Sequence, residues 1–190
     1  MMRLFTGLEI PADIAEGLAS LRGGLPGARW IDPENYHLTL RFIGEVDDWL
    51  AREVADLLNS VRRPGFDLRL EGLSSFGGRK PRAVFAATQP NQPLLDLQAE
   101  QERLMQRVGL EPEGRKYSPH VTLTRLRDSS SWQVADYLAA RGHFRTRSFP
   151  VSRFVLFSSR ASGGGGPYVV EAAYPLAPPL AERRALARAV

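Results

Sequence analysis

The sequence predicts a mixed α and β fold made of two similar halves that pack about a pseudo-twofold axis. The first observation is a repeated tetrad, because residues 37–40 (His-Leu-Thr-Leu) are matched by residues 120–123 (His-Val-Thr-Leu), and these use two of the chain's three histidines. The second is that each tetrad sits at a similar distance behind the first strand of a repeated strand-helix-strand-helix-strand order. Such a duplication is expected to bring both tetrads to equivalent places on one cleft.

The first half is predicted from apolar periodicity and from helix-breaking residues. Leucines or valine alternate with His and Thr in each tetrad, so in a strand they face the core while His and Thr share the other face. Pro11 suits a helix start, and Pro64-Gly65 ends a later helix. The expected elements are a strand at 2–8, a helix at about 12–22, the tetrad strand at 36–43, a helix at about 48–61 and a strand at 66–70.

The second half repeats this order. Its expected elements are a strand at 83–87, a helix at 93–108 capped by Gly109, the tetrad strand at 119–124, a helix at about 131–141 and strands near 144–151, 153–157 and 168–173. The glycine run 163–166 is expected to be a flexible hairpin connection, and 180–190 a short basic amphipathic tail helix. No linker separates the halves, so residues 1–190 are interpreted as one domain with two lobes.

Composition excludes several classes of protein. The chain of 190 residues has no cysteine, which rules out disulfides and thiolate sites. No apolar run approaches the roughly 20 residues of a membrane span, and the N-terminus lacks a secretory signal, so a cytoplasmic monomer is expected. The net charge is +4, and all cations but Lys80 and Lys116 are arginine. Arginine matches phosphate oxygens, although GC-rich genomes also encode it freely, so charge permits a nucleic-acid partner without demonstrating one.

The tetrads suit phosphodiester chemistry that needs no metal. Two imidazoles with ordinary pKa values near ~6.5 can stand one neutral and one protonated at neutral pH. One then removes a proton from water while the other donates one to a leaving oxygen. The threonine hydroxyls can hold the non-bridging oxygens, and Arg41, Arg125 and Arg127 are candidates for offsetting the developing charge. Two histidines without a third ligand fall short of a metal site, so neither metal nor cofactor is expected.

Structural interpretations compete with the catalytic one. A single His-x-Thr in a strand occurs often by chance, whereas two copies at matching places favour a site. His143 follows a helix without a partnering pattern, which indicates a surface loop. Phe42 and Phe76 could stack on a base, but core packing is the expectation for each.

Three segments carry a resemblance to a known family. They are residues 3–11, residues 28–45 around the first tetrad, and residues 118–125 around the second. With them the sequence resembles the 2H phosphoesterase superfamily, specifically the bacterial and archaeal RNA 2′,3′-cyclic phosphodiesterases, also called 2′-5′ RNA ligases. The resemblance implies a two-lobed α+β fold with antiparallel sheets lining a central cleft. It also implies metal-free opening of a 2′,3′-cyclic phosphate, on an RNA end or a small cyclic nucleotide, to a 2′-phosphate.

The resemblance also implies a role for each tetrad residue. His37 would be the proton donor and His120 the proton acceptor, while Thr39, Thr122 and Arg125 would bind the phosphate. Strict alternation places Arg125 on the face opposite His120, so it reaches the cleft only if the strand twists or ends there. The donor and acceptor labels are open to exchange. Alternatives are 2′-5′ RNA ligation at the same site and a non-catalytic module that binds RNA ends.

Overall fold

The computed structural model describes residues 1–159 and 166–178. Its helices are α1 (Ala12–Ala19), α2 (Asp48–Leu58), α3 (Gln92–Arg107) and α4 (Ser131–Arg141). Its strands are β1 (Met2–Glu9), β2 (Ala28–Trp30), β3 (His37–Val46), β4 (Phe66–Leu68), β5 (Leu70–Phe76), β6 (Ala83–Thr88), β7 (His120–Leu126), β8 (Phe149–Val151), β9 (Arg153–Ser159) and β10 (Tyr168–Pro175). The tail helix expected at 180–190 and glycines 163–165 lie outside the described residues. None of the described helices is long and apolar enough to cross a membrane.

Eight strands form one antiparallel sheet with the two tetrad strands at its centre. Their order is β10-β9-β1-β3-β7-β6-β5, and β2 pairs with the far end of β7. Strands β3 and β7 pair at Leu38 and Val121, the residues that directly follow the two histidines. A pseudo-twofold axis therefore passes between these residues, and it relates β1 to β6 and β9 to β5. The α+β prediction with antiparallel strands around a duplicated centre is confirmed.

The two lobes exchange their outer strands. Strand β5 ends the first half of the chain but pairs with β6 of the second half, whereas β9 of the second half pairs with β1. Each side of the sheet therefore contains residues from both halves, which ties the halves together beyond the contact at the axis. The sequence pattern does not reveal this exchange.

Most predicted elements are present, with differences at irregular positions. Helix α1 ends at Ala19 and not near residue 22, because residues 21 and 22 already make the tighter i→i−3 hydrogen bonds of a turn. The strand expected at 66–70 is short, and β5 follows it unpredicted because glycine and serines interrupt its apolar alternation. Strand β2 is also additional. The strand expected at 144–151 is confined to β8.

The core fixes which face of the central strands is available for chemistry. The alternating tetrad residues Leu38, Leu40, Val121 and Leu123 are at most 2% exposed. Burying each contributes roughly 1.5–3 kcal/mol, so reversing the strands would cost about 6–12 kcal/mol, which is comparable to the whole stability of a typical domain. Helix α3 packs on this inner face with Leu94, Leu97 and Leu104 buried. The histidines and threonines consequently face the other side.

Candidate active site

The two tetrads interleave at the centre of the sheet. Because Leu38 lies opposite Val121 in an antiparallel pair, extending that register by one residue in each direction sets His37 against Thr122 and Thr39 against His120. Residues directly opposite in such a pair share a face. The four predicted polar side chains therefore lie together on the face opposite the core. This brings both imidazoles to one cleft, as the duplication predicted.

Each imidazole is oriented by a carbonyl two residues earlier in the chain. Nδ1 of His37 donates to the Asn35 carbonyl oxygen at 2.9 Å, and Nδ1 of His120 donates to the Ser118 carbonyl oxygen at 2.6 Å. Since a carbonyl oxygen only accepts, each Nδ1 carries a proton and each Nε2 is left for chemistry. Nε2 of His37 accepts from the Thr39 hydroxyl at 3.1 Å. The repeat thus reproduces the hydrogen-bonding arrangement of the ring as well as its position.

Aromatic side chains enclose both rings, more completely around His37. The ring centroids of Phe5 and Tyr168 lie 4.9 and 4.8 Å from that of His37, and Phe157 lies at 5.7 Å. Around His120 the rings are Phe76 at 4.8 Å and Phe85 at 5.1 Å. These apolar walls exclude water and fix the rings, which preorganises the site.

Burial makes both histidines weaker bases in the free protein. Desolvation lowers the pKa of His37 to about 4, the Asn35 carbonyl opposes this, and the nearby His120 and Arg125 lower it further. Desolvation also lowers the pKa of His120, against the opposing Ser118 carbonyl. Both shifts therefore favour the neutral form of the rings in the free protein at pH 7. A bound phosphate anion would favour protonation of the ring beside it.

A β-bulge brings Arg125 onto the face of the histidines. In the pairing of β6 with β7, Phe85 lies opposite Thr122 whereas Ala83 lies opposite Arg125, so one extra residue is accommodated in β7. Ala83 and Phe85 share one face of β6, and Thr122 and Arg125 therefore do so on β7. The strict alternation assumed from the sequence fails at this bulge. Arg125 is exposed, and its charge acts on His37.

Of the other two arginine candidates, Arg41 is buried away from the cleft and Arg127 lies beyond the end of β7. Arg41 is only 7% exposed, pairs with the Glu102 carboxylate and donates to the carbonyls of Phe42 and Glu111. It anchors α3 and the segment after it to β3, so the prediction that Arg41 offsets charge on the substrate is wrong. Arg127 is exposed just beyond the end of β7, where its backbone N–H donates to the Gly27 carbonyl.

Two phenylalanines expected in the core belong instead to the cleft face. Phe42 is 42% exposed and lies opposite Phe5, after register shifts in the pairing of β1 with β3. It follows His37 by five residues, as Arg125 follows His120, so the repeat offset was a signal that could have found it. Phe76 lies opposite Ala83 and stacks on Phe85 at 4.2 Å. His143, in contrast, is exposed in the turn after α4, as predicted.

Two supporting residues had no sequence signal. The Tyr117 hydroxyl donates to the Thr39 carbonyl at 2.9 Å and thereby links the segment entering the second tetrad to the first tetrad. Asn35 orients His37 through its carbonyl, while its side-chain oxygen accepts from the Tyr168 backbone N–H at 3.3 Å. Both residues hold elements that are distant in sequence around the histidines. In residues 1–159 and 166–178, no group of three or more His, Asp or Glu side chains is placed to hold a metal ion.

Comparison with known proteins accounts for the duplicated site. The family model described as LigT-like phosphoesterase matches the chain twice, at residues 8–86 and again at residues 84–168. Each match contains one tetrad. The chain belongs to the LigT-like phosphoesterase family. The internal duplication inferred from the tetrads is thus recognised by the family model itself, and the two tetrad strands of this phosphoesterase, β3 and β7, each fall within one of the two matches.

Named relatives and a solved structure extend the comparison. The Escherichia coli RNA 2′,3′-cyclic phosphodiesterase is 30% identical over 173 residues, covering 81% of this chain and 96% of that protein. The protein of the same name from Aeropyrum pernix is 37% identical over 106 residues, which cover 55% of this chain and 60% of the relative. The crystal structure of E. coli LigT with 3′-AMP matches with a TM-score of 0.75 at 28% identity, covering 92% of this phosphoesterase and 98% of LigT.

Proposed function

We propose that this LigT-like phosphoesterase hydrolyses the 2′,3′-cyclic phosphate at the 3′ end of RNA and leaves a 2′-phosphate and a free 3′-hydroxyl. The observation that carries the proposal is the pair of imidazoles on one cleft face, each with Nδ1 held by a carbonyl and Nε2 available. The E. coli and A. pernix relatives named RNA 2′,3′-cyclic phosphodiesterase support the substrate.

In the proposed reaction one histidine accepts a proton and the other donates one. Nε2 of His120 takes a proton from water as the water oxygen attacks phosphorus, and Nε2 of protonated His37 gives a proton to O3′ as the P–O3′ bond breaks. The two rings then exchange protons with solvent to restore the starting state. Because burial favours the neutral form of both rings in the free protein, the required imidazolium forms when the phosphate anion is bound.

The remaining cleft residues bind and orient the phosphate. The Thr39 and Thr122 hydroxyls and the Arg125 guanidinium can donate to its non-bridging oxygens. Donors that are already in place stabilise charge as it develops in the transition state. Since both lobes supply a histidine and exchange outer strands, residues 1–190 would act as one catalytic domain.

The direct test uses purified protein and a short RNA with a 2′,3′-cyclic phosphate end. We expect conversion to the 2′-phosphate, identified by phosphorus NMR or by chromatography against 2′- and 3′-phosphate standards. A 3′-phosphate product would overturn the assigned leaving group but not the two-histidine site. Absence of hydrolysis together with tight binding of the RNA end would favour the binding-module alternative.

A further inference from the structure

The arginine-rich edge beside Arg125 has no part in the reaction described above. Strand β2 pairs with β7 so that Arg29 lies directly opposite Arg125. Because opposite residues share a face, with Cα atoms about 4.5–5.5 Å apart, Arg29 extends the cleft face outward. On the other side of β7, the Arg82 carbonyl accepts from the Leu126 backbone N–H at 2.8 Å. The turn between β5 and β6 therefore reaches the same end of β7.

These segments form a cluster of exposed cations, which we call the cationic end. Its members are Arg29, Arg79, Lys80, Arg82 and Arg127. In the described part of the chain, none of the five pairs with a carboxylate. Asp128 is the only acidic residue in the segments that carry them, 27–31, 77–83 and 123–128. A concentration of unneutralised arginines on one edge is typical of a surface that binds phosphate groups.

The opposite end of the cleft has the opposite charge. Beside His37 lies a cavity of about 470 Å³ whose rim includes Glu16 and Glu34, and also Glu9, whose carboxylate is paired with Arg153. Carboxylates repel a phosphate chain, whereas guanidinium groups attract it. A polyanion whose end is held between the histidines would therefore continue toward the cationic end.

We propose that the cationic end binds the backbone phosphates of the nucleotides that precede the cyclic phosphate. The preferred substrate would then be a single-stranded oligoribonucleotide and not a mononucleotide. The inference rests on the proposed function, because it assumes that the cyclic phosphate is bound between His37 and His120. An RNA that ends in a cyclic phosphate can extend from the site in only one direction, through the 5′ oxygen of its terminal nucleotide. The edge that carries Arg29 lies next to Arg125, the residue proposed to bind the phosphate.

The experiment compares 2′,3′-cyclic AMP with an eight-nucleotide RNA that ends in a 2′,3′-cyclic phosphate. Arg29→Ala and Arg79→Ala should each raise KM for the octamer roughly threefold to tenfold, the usual range for one lost hydrogen-bonded contact. Each should leave kcat/KM for 2′,3′-cyclic AMP within about twofold of wild type. Arg52→Ala is the matched control, because Arg52 is an exposed arginine on α2 and should change neither substrate.

Salt provides a second readout. For a single strand, each phosphate contact contributes about 0.7 to the slope of log affinity against log salt concentration. The value of kcat/KM for the octamer should therefore fall more steeply with salt concentration than the value for 2′,3′-cyclic AMP. Arg29→Ala should make the salt dependence for the octamer less steep. Equal effects of Arg29→Ala on both substrates, or no effect on either, would overturn the proposal.

Failure of the proposed function would be recognised separately, since the wild-type protein would then hydrolyse neither substrate. In that case fluorescence anisotropy with a labelled octamer still decides the question. Weaker binding by Arg29→Ala than by Arg52→Ala would support the cationic end as an RNA surface, and equal binding would refute it.

Discussion

Replacing Tyr117 by phenylalanine should slow catalysis while leaving substrate binding nearly intact. The lost group is a single hydroxyl, which donates to the Thr39 carbonyl at 2.9 Å. Burial raises the pKa of Tyr117, so the hydroxyl stays protonated and remains a donor throughout any practical assay range. Tyr117 stands three residues before His120, and Thr39 two residues after His37. Their hydrogen bond therefore adds a second link between the two tetrads, besides the pairing of β3 with β7.

The expected size of the effect follows from that geometry. Loss of the bond should lower the free energy of unfolding by about 1 kcal/mol. A misplacement of about 1 Å between reacting groups can cost about 100-fold in rate. Because the β3–β7 pairing remains, we expect a smaller shift and a fall in kcat of roughly tenfold. KM should change less than twofold, since no group proposed to bind phosphate is removed.

The matched control is Tyr36→Phe. Tyr36 is buried next to His37, yet its hydroxyl has no hydrogen-bond partner among the described residues. Removing it should leave kcat within about twofold and leave the free energy of unfolding unchanged or higher, because no hydrogen bond is lost. Steady-state kinetics and urea unfolding measure both quantities. If Tyr117→Phe lost stability but kept normal kcat, the hydrogen bond would be structural only and the reasoning would be refuted.

Four further predictions concern the site directly. His37→Ala and His120→Ala should each reduce kcat roughly 10²–10⁴-fold with an unchanged circular dichroism spectrum. His143→Ala, which replaces an exposed histidine, should behave like wild type. Normal turnover in either tetrad variant would show that its histidine takes no part in the chemistry. Arg125→Ala should lower kcat/KM roughly 10²–10³-fold, and a smaller loss than for Arg127→Ala would contradict the face assignment made from the bulge. EDTA should leave activity unchanged, whereas loss on chelation with recovery by a divalent metal would point to metal-assisted attack. The pH profile of kcat/KM should be bell-shaped with its maximum on the acid side of ~6.5, because burial lowers both histidine pKa values; a flat profile between roughly pH 5 and 9 would exclude paired histidine catalysis.

The central strands could be predicted because their signal is local. Alternation of apolar residues with His and Thr decides which face is buried, and four apolar tetrad residues at most 2% exposed make that decision strong. The repeat then supplied the missing long-range information, since equivalent elements of a duplicated unit take equivalent places. The placement of both histidines and both threonines on one face was predicted in this way.

The remaining features depend on contacts between distant residues. The bulge beside Thr122 is visible only in the pairing with β6, so alternation alone put Arg125 on the wrong face. Arg41 carries the same charge as Arg125, but its place on the inner face leads it to Glu102. The exchange of β5 and β9 leaves no periodic trace in either strand. Such features are set by the tertiary fold and not by the local sequence pattern.

The duplication supplies two equivalent imidazoles, and catalysis requires that they differ. The backbone treats them alike, because each Nδ1 donates to a carbonyl two residues earlier. Their surroundings differ, because His37 is enclosed by three aromatic rings and affected by the charge of Arg125, whereas two rings flank His120.

The assignment of donor and acceptor must therefore come from side chains that break the pseudo-symmetry, such as Phe42 and Arg125 at matching positions. The two limbs of a pH profile belong to the coupled pair and not to either ring. Profiles of His37→Ala and His120→Ala, measured on their residual activity, separate them. Loss of the alkaline limb in His37→Ala would support His37 as the proton donor, because that limb reports loss of the proton from the acid. Its loss in His120→Ala would exchange the two roles and leave the fold, the bulge and the phosphate contacts unaffected.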